Sequence, residues 1–249
     1  MTTAPIAPLT TTSRARARVR ARVRVLALPV LMTALAGGAL GGCSALGGET
    51  DVRSYTVSEK LTALSVQSPD GDIEVVGGSG DSVKVTETVT YSGKNPKTDQ
   101  SVAQGRLTLG GGPDCGSDSD CKISYKVEVP GGLSVNLVAF GGDITVRNVS
   151  GAIDVRTTGG SVRGRELGAK SLLAKANGGD VEASFTEPPE KVDAGTSGGD
   201  VKVKVPASAA YAVDAKGVGG GEKVSVRTDP ASGHSLKLRT LGGTVSVGS

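Results

Sequence analysis

The stretch Ala176–Val205, ANGGDVEASFTEPPEKVDAGTSGGDVKVKV, decides the fold. It carries two copies of one corner, Gly179-Asp180-Val181 and Gly199-Asp200-Val201. After each corner, apolar residues fall at every second position: Val181 and Ala183, then Val201, Val203 and Val205. Val192 and Ala194 alternate in the same way between them. A period of two marks a strand with one buried face. Pro188 and Pro189 cannot donate to a ladder, so they belong to a turn. One period therefore holds two short strands and two turns.

The pattern extends outward in both directions. The residue after the corner glycine falls at Asp143, Ser161, Asp180, Asp200, Glu222 and Thr244, with an earlier copy at Asp72. The corner at Gly221-Glu222-Lys223-Val224 carries one additional residue. A second alternating stretch precedes each corner: Ile153/Val155, Leu173/Ala174/Ala176, Val213/Ala215 and Leu236/Leu238. A repeat of roughly 20 residues with no helical period predicts an all-β chain, a single-stranded, β-helix-like β-solenoid with glycine corners. The paired glycines are expected to supply positive φ and close backbone approach. The Asp, Ser or Thr beside them is expected to bond nearby amides. The first third is less regular, with strand-like stretches at Leu64–Val66, Ile73–Val76 and Val83–Tyr91. It reads as a cap over the open strand edges, with residues 92–122 as an insertion.

Composition agrees with small residues stacking in a thin architecture. Of 249 residues, 38 are glycine, 37% are hydrophobic and 2% aromatic, and tryptophan is absent. No G-X-Y period runs through the chain, which excludes collagen, and the apolar content excludes wholesale disorder. The net charge of +3 misleads. Six arginines lie between Arg14 and Arg24; without them the count is 22 basic (28 − 6) against 25 acidic. The remaining domain is mildly acidic and has no overall footprint for nucleic acid. His234 is the sole histidine, so no site needing two histidines can be built.

The N-terminus reads as an export signal. RARARVRARVR at 14–24 is followed by a mostly apolar run from Val25 to Leu40 and then by Leu40-Gly41-Gly42-Cys43. A basic segment, an apolar segment and small residues before a cleavage point are the parts of a secretory signal. Leu40-Gly41-Gly42-Cys43 closely resembles the lipobox of bacterial lipoproteins. That resemblance implies a signal peptide over 1–42, a diacylglyceryl thioether on Cys43 and a tether over 43–51. The repeat domain then spans 52–249, lipid-anchored at the outer face of the cell membrane. With Cys43 lipidated, Cys115 and Cys121 remain, and an oxidising compartment would pair them as a loop staple.

The glycine corners Gly71-Asp72-Ile73, Gly142-Asp143-Ile144, Gly179-Asp180-Val181 and Gly199-Asp200-Val201, with the export signal, resemble the bacterial adhesin-like family of β-strand-repeat lipoproteins. The resemblance implies an envelope protein with no catalytic residue, cofactor or metal site to carry over. Its expected partners are the membrane, through the lipid, and an envelope polysaccharide or protein. The column Asp72, Asp143, Asp180 and Asp200 suggests two other functions. A polysaccharide-acting β-helix enzyme could use neighbouring carboxylates, which one sheet step places at about the spacing of a retaining glycosidase. Ser161 and Thr244 occupy the same slot, however, as suits a turn-bonding oxygen and not an acid or nucleophile. A calcium solenoid would need a nonapeptide period and more oxygens per rung.

Overall fold

The computed structural model describes residues 48–93, 95–111 and 121–249, all belonging to the compact unit Ser44–Ser249. Leu40, Gly41, Gly42 and Cys43, with the expected lipobox, lie outside the described residues, as does Cys115. Among the described residues there are nineteen strands and no helix. The strands form two sheets, most of whose pairings are parallel.

The central part follows the repeat. β8 (Ser134–Ala139), β10 (Ile153–Thr157), β12 (Ser171–Ala176) and β14 (Lys191–Thr196) are successive neighbours in the nine-stranded sheet. β9 (Ile144–Arg147), β11 (Val162–Leu167), β13 (Val181–Phe185) and β15 (Val201–Lys204) are successive neighbours in the ten-stranded sheet. The chain alternates between sheets, so each strand pairs in parallel with the strand two places on. Register is kept by identical inward columns. In the nine-stranded sheet Val135, Ile153, Leu172 and Val192 align, as do Leu137, Val155, Ala174 and Ala194. In the other sheet Ile144, Val162, Val181 and Val201 align. All are at most 3% exposed. Burying each Val, Leu or Ile contributes about 1.5–3 kcal/mol, and a one-residue slip would turn the whole column outward. Leu173, read from sequence as part of the buried stretch, faces outward; Leu172 takes the inward position.

Both ends depart from the sequential order that the repeat suggests. At the C-terminal end, β16 (Ala212–Gly217) and β17 (Glu222–Val224) form the outermost rung. The later strands β18 (Ser235–Thr240) and β19 (Val245–Gly248) insert between that rung and β14/β15. At the N-terminal end, β2 (Ala63–Ser68) and β3 (Ile73–Gly78) sit directly beside β8 and β9. The later strands β6 (Arg106–Gly111) and β7 (Lys122–Pro130) lie outside β2 and β3. The end is then closed by antiparallel strands. β5 (Thr98–Ala103) covers β6, while β4 (Val83–Tyr91) covers β7 and is itself covered by β1 (Glu49–Val57). Residues 92–122, read from sequence as an insertion, thus contribute two strands to the stack. Residues 49–51, read as tether, begin β1. The hairpin β5–β6 turns on Gln104 and Gly105, both with positive φ, as a two-residue type I′ turn requires.

The cap is tied across the two sheets by a buried carboxylate. Glu87 of β4 is 2% exposed and accepts hydrogen bonds from Tyr55 Oη and Thr98 Oγ1, both at 2.8 Å. Thr98 lies in the opposite sheet, so one side chain ties the two. Burial and the bond to Glu87 push the Tyr55 phenol well above its ordinary range. Burial does the same to Tyr125, with the Glu87 charge adding to it. The Tyr125 hydroxyl has no hydrogen-bond partner among the described residues.

Gly164 interrupts an inward column of β11, and a bulge follows it. A side chain there would meet Leu167, whose Cδ1 lies 2.8 Å from the position of a Cβ. Leu167, fully buried, fills the space left by the missing side chain. Glu166 takes a φ of 53° to accommodate this.

Candidate functional site: the glycine corner and its ladder

The corner places the aspartate column in one continuous line. Asp72 Oδ1 accepts from the amide of Asp143 at 2.8 Å, and Asp143 Oδ1 from the amide of Ser161 at 2.8 Å. Ser161 Oγ accepts from the amide of Asp180 at 3.2 Å, and Asp180 Oδ1 from the amide of Asp200 at 2.8 Å. Asp200 Oδ1 accepts from the amide of Thr244 at 2.7 Å. At the other end, Ser124 Oγ accepts from the amide of Asp72 at 3.2 Å. Each side chain therefore bonds the next rung's backbone, not its own turn. Any short side chain with an acceptor oxygen can do this, which is why Ser occurs among the Asp residues. Asp72 and Asp143 are neighbours in the stack, in addition to Asp180 and Asp200, because β3 lies beside β9.

Glu222 does not belong to this column. It pairs with Val245 and so stands in register with the valine column, exposed in the outermost rung, and Gly221 takes the corner position with a φ of 82°. Its carboxylate accepts instead from the amide of Gly217 at 2.8 Å. The additional residue of that corner is absorbed by this one-step shift.

The electrostatics of the column are local. Asp143 is held below the usual carboxylate range, first by the Ser161 amide and then by Arg163. The Arg163 Nη1–Asp143 Oδ2 distance is 2.5 Å. One oxygen of Asp143 thus serves the ladder and the other an ion pair. A carboxylate committed to a backbone amide is poorly placed as a general acid or nucleophile.

The paired glycines serve contact more than chain reversal. Among the corner glycines only Gly71 and Gly221 have positive φ, so the expected general role of positive φ does not hold. A Cβ on Gly142 would overlap the carbonyl oxygen of Gly71, and one on Gly160 that of Gly142. The second glycine of each corner rests directly on the rung before it.

Sequence reading missed a second ladder beside the first. Thr157, Thr196 and Thr240 are buried polar residues. Their hydroxyls donate to the carbonyl oxygens of Gly142, Gly179 and Gly199 at 2.8, 2.6 and 2.6 Å. Ser68, fully buried, donates to the carbonyl of Ile123 at 2.7 Å. These bonds satisfy buried backbone acceptors that would otherwise be costly. The signal was present as Thr157-Thr158-Gly159-Gly160, Thr196-Ser197-Gly198-Gly199 and Thr240-Leu241-Gly242-Gly243. Ala139 and Ala176 at equivalent positions hid it. His234 is structural too: its Nδ1 lies 2.8 Å from the Pro189 carbonyl oxygen, and its ring tilts against Tyr211.

The ladder makes a quantitative prediction. In a chain with Asp180→Ser and Asp200→Ser, both amides keep an acceptor. Each hydrogen bond is worth about 0.5–1.5 kcal/mol, and only part of that is lost. Thermal melting should show a small decrease, the same with and without chelator. A large calcium-dependent difference in wild type that disappears in the variant would instead assign the column to metal.

The fold and corner together define an all-β domain of two parallel-rich sheets whose turns are stitched rung to rung by side chains. The model of the Toastrack DUF4097 family matches residues 116–244. That is more than half of the 249 residues, and the chain belongs to this family. No curated protein matches it. Among solved structures it resembles a "putative cell adhesion protein" from Clostridium sporogenes, with 13% identity and a TM-score of 0.51 over 80% of this chain and 99% of the other. It is also similar to a "putative adhesin" from Bacteroides fragilis, with 13% identity and a TM-score of 0.41 over 80% and 97%. At that identity the first likeness shows a shared fold.

Proposed function

We propose that this is a noncatalytic envelope lipoprotein that holds a rigid β-solenoid at the outer face of the cell membrane for adhesion or envelope interaction. The observation that carries the reading is the ladder itself. The acids of the corner column are spent on backbone amides, which suits a scaffold and leaves little for chemistry. The description of the Clostridium structure as an adhesion protein supports a surface role. The continuous central rungs support the solenoid description, with its special ends as the departure from a simple coil. The lipobox-like Leu40-Gly41-Gly42-Cys43 supplies the anchor. Two or more acyl chains hold a protein at a membrane far more stably than one.

Detergent phase partitioning tests the anchor. Full-length wild type expressed in a bacterial host should enter the detergent phase, and Cys43→Ser should move to the aqueous phase or remain as precursor. Equal partitioning of both would refute lipidation. The Cys115–Cys121 staple is part of the same proposal, and Cys121 is buried at 7% exposure. Intact mass of the exported protein should rise by about two daltons on reduction, one hydrogen per thiol. An unchanged mass would remove the staple. A loop this short contributes about 2–3 kcal/mol at most, so its loss should leave the fold intact.

A further inference from the structure

Both outer sheet faces carry paired and unpaired cations, in different arrangements. On the nine-stranded sheet, Arg156, Lys175 and Arg239 each pair with an aspartate: Asp154, Asp193 and Asp214 respectively. These three cations are compensated by their aspartates, while Lys237, between Asp193 and Asp214, and Lys216, beside Arg239, have no ion-pair partner among the described residues. On the ten-stranded sheet, Arg147 pairs with Arg165 across β9 and β11, and Ser184 with Lys204 across β13 and β15, the bulge of β11 lying between the two pairs; these four form an outward line. No acid is among these four residues, but Glu166 lies in the bulge beside Arg165. Arg147 reaches Glu74 only at 3.9 Å, and Arg165, Lys202 and Lys204 have no ion-pair partner among the described residues.

The geometry orders these cations. Neighbouring strands are about 4.8 Å apart, so the column runs about 14 Å along the stack, from Arg147 to Lys204. Lys202 lies two residues along β15 from Lys204, on the same face. Glu182 stands in the adjacent column and limits the breadth of the positive strip. A shallow groove lies here beside the bulge, where the cations outnumber the two acids, Glu166 and Glu182, that also line it. The serine hydroxyl, which accepts from the Glu166 amide at 3.2 Å, provides a hydrogen-bonding group between the cations. Guanidinium groups favour carboxylate and phosphate because their planar forks match both geometrically.

We propose that this column binds a linear polyanion, a polymer with repeated phosphate or carboxylate groups, laid along the stack axis. The inference rests on the envelope-facing reading above and names the ligand class and the face. Repeated charge on a straight, rigid support suits a polymer: each rung adds one contact without added ordering of the protein. The weakly acidic whole domain is compatible with this, because the compensation is lacking only locally and screening limits distant charges to about a Debye length.

The test uses the full-length chain in nonionic detergent, with immobilised polyphosphate and polygalacturonate as probes. Wild type should bind at low salt. Binding to both probes supports a general polyanion site; binding to one supports the proposal and assigns the anion. The variant Arg147→Gln/Arg165→Gln/Lys204→Gln should bind at least tenfold more weakly, and its log–log salt slope should fall by about two, since each lost cation removes roughly 0.7–0.9. The variant Arg156→Gln/Lys175→Gln/Arg239→Gln carries the same charge change on the opposite sheet and should lose less than threefold. Arg165→Gln alone, with an expected loss of about threefold, serves if the triple variant fails to fold. Absence of wild-type binding, or equal losses in the two triple variants, would overturn the proposal. So would binding confined to phosphatidylglycerol vesicles over neutral ones, which would assign the face to the membrane. Failure of Cys43→Ser to leave the detergent phase would refute the anchored reading separately, without bearing on these affinities.

Discussion

The Gly142→Ala variant should melt roughly 6–12 °C below wild type, as about 3 kcal/mol implies for a domain of this size. The added Cβ would overlap the carbonyl oxygen of Gly71, and the Gly71 carbon and Asp72 nitrogen crowd the same point. All three atoms are backbone. They belong to a rung held in register by β7 on one side and β9 on the other, so they cannot yield as a flexible side chain would. Overpacking ordinarily costs about 1–3 kcal/mol, and a backbone contact lies at the upper end or beyond. The conformation is not the obstacle, since Gly142 lacks the positive φ that would itself strain alanine. Gly80→Ala is the matched control: a Cβ there has no heavy atom within 4 Å, and its melting temperature should stay near wild type. Equal melting of Gly142→Ala and Gly80→Ala would show that the rungs are not in contact at this corner.

Truncation after Ser232 should disorder residues 206–232 even though they are retained. In a coil wound in sequence order, removing the last segment would strip the last rung alone. Here β18 and β19 lie between β14/β15 and β16/β17, so their removal leaves the outermost rung without a neighbour. Leu236, Leu238, Val245 and Val247 are at most 2% exposed. Their loss removes about 6–12 kcal/mol of gross burial, at 1.5–3 kcal/mol for each. Limited proteolysis and hydrogen exchange of the full-length and truncated chains would report the result. Cleavage concentrated between Pro206 and Ser232, with the central rungs still protected, is expected. Protection of that segment equal to full length would contradict the inserted order.

The middle of the fold was legible because one face of each strand is buried and the corners repeat. Val181, Val201 and Val245 read as inward residues and are fully buried. The ends were illegible for a physical reason. Alternation declares that a segment is a strand but not which edge it joins, and β2 and β6 carry the same pattern whichever lies outside. The antiparallel covering strands have the same period of two as parallel ones, so Val83–Tyr91 showed its buried face but not its direction. At the candidate site, the Asp column was readable from its spacing. The direction of its bonds was not, because an oxygen near a turn can reach its own amides or those of the next rung. The outward line of Arg147, Arg165, Ser184 and Lys204 was equally readable, each lying four residues after a corner residue, but which of its cations lack an acidic partner was not, because that depends on the neighbours each strand meets.

The special ends also determine where such a chain can change length. The cap strands and the inserted final pair each fit one particular neighbour, so a gain or loss of a period there would disrupt a unique junction. Between β8 and β15 the corner junctions are alike: a glycine resting on a glycine carbonyl and an acceptor oxygen meeting the next amide. A duplicated period in that interval would find its own kind above and below. The interior is therefore the region free to vary in copy number, and each copy would lengthen the domain by one sheet spacing, about 4.8 Å, while both termini remained as they are.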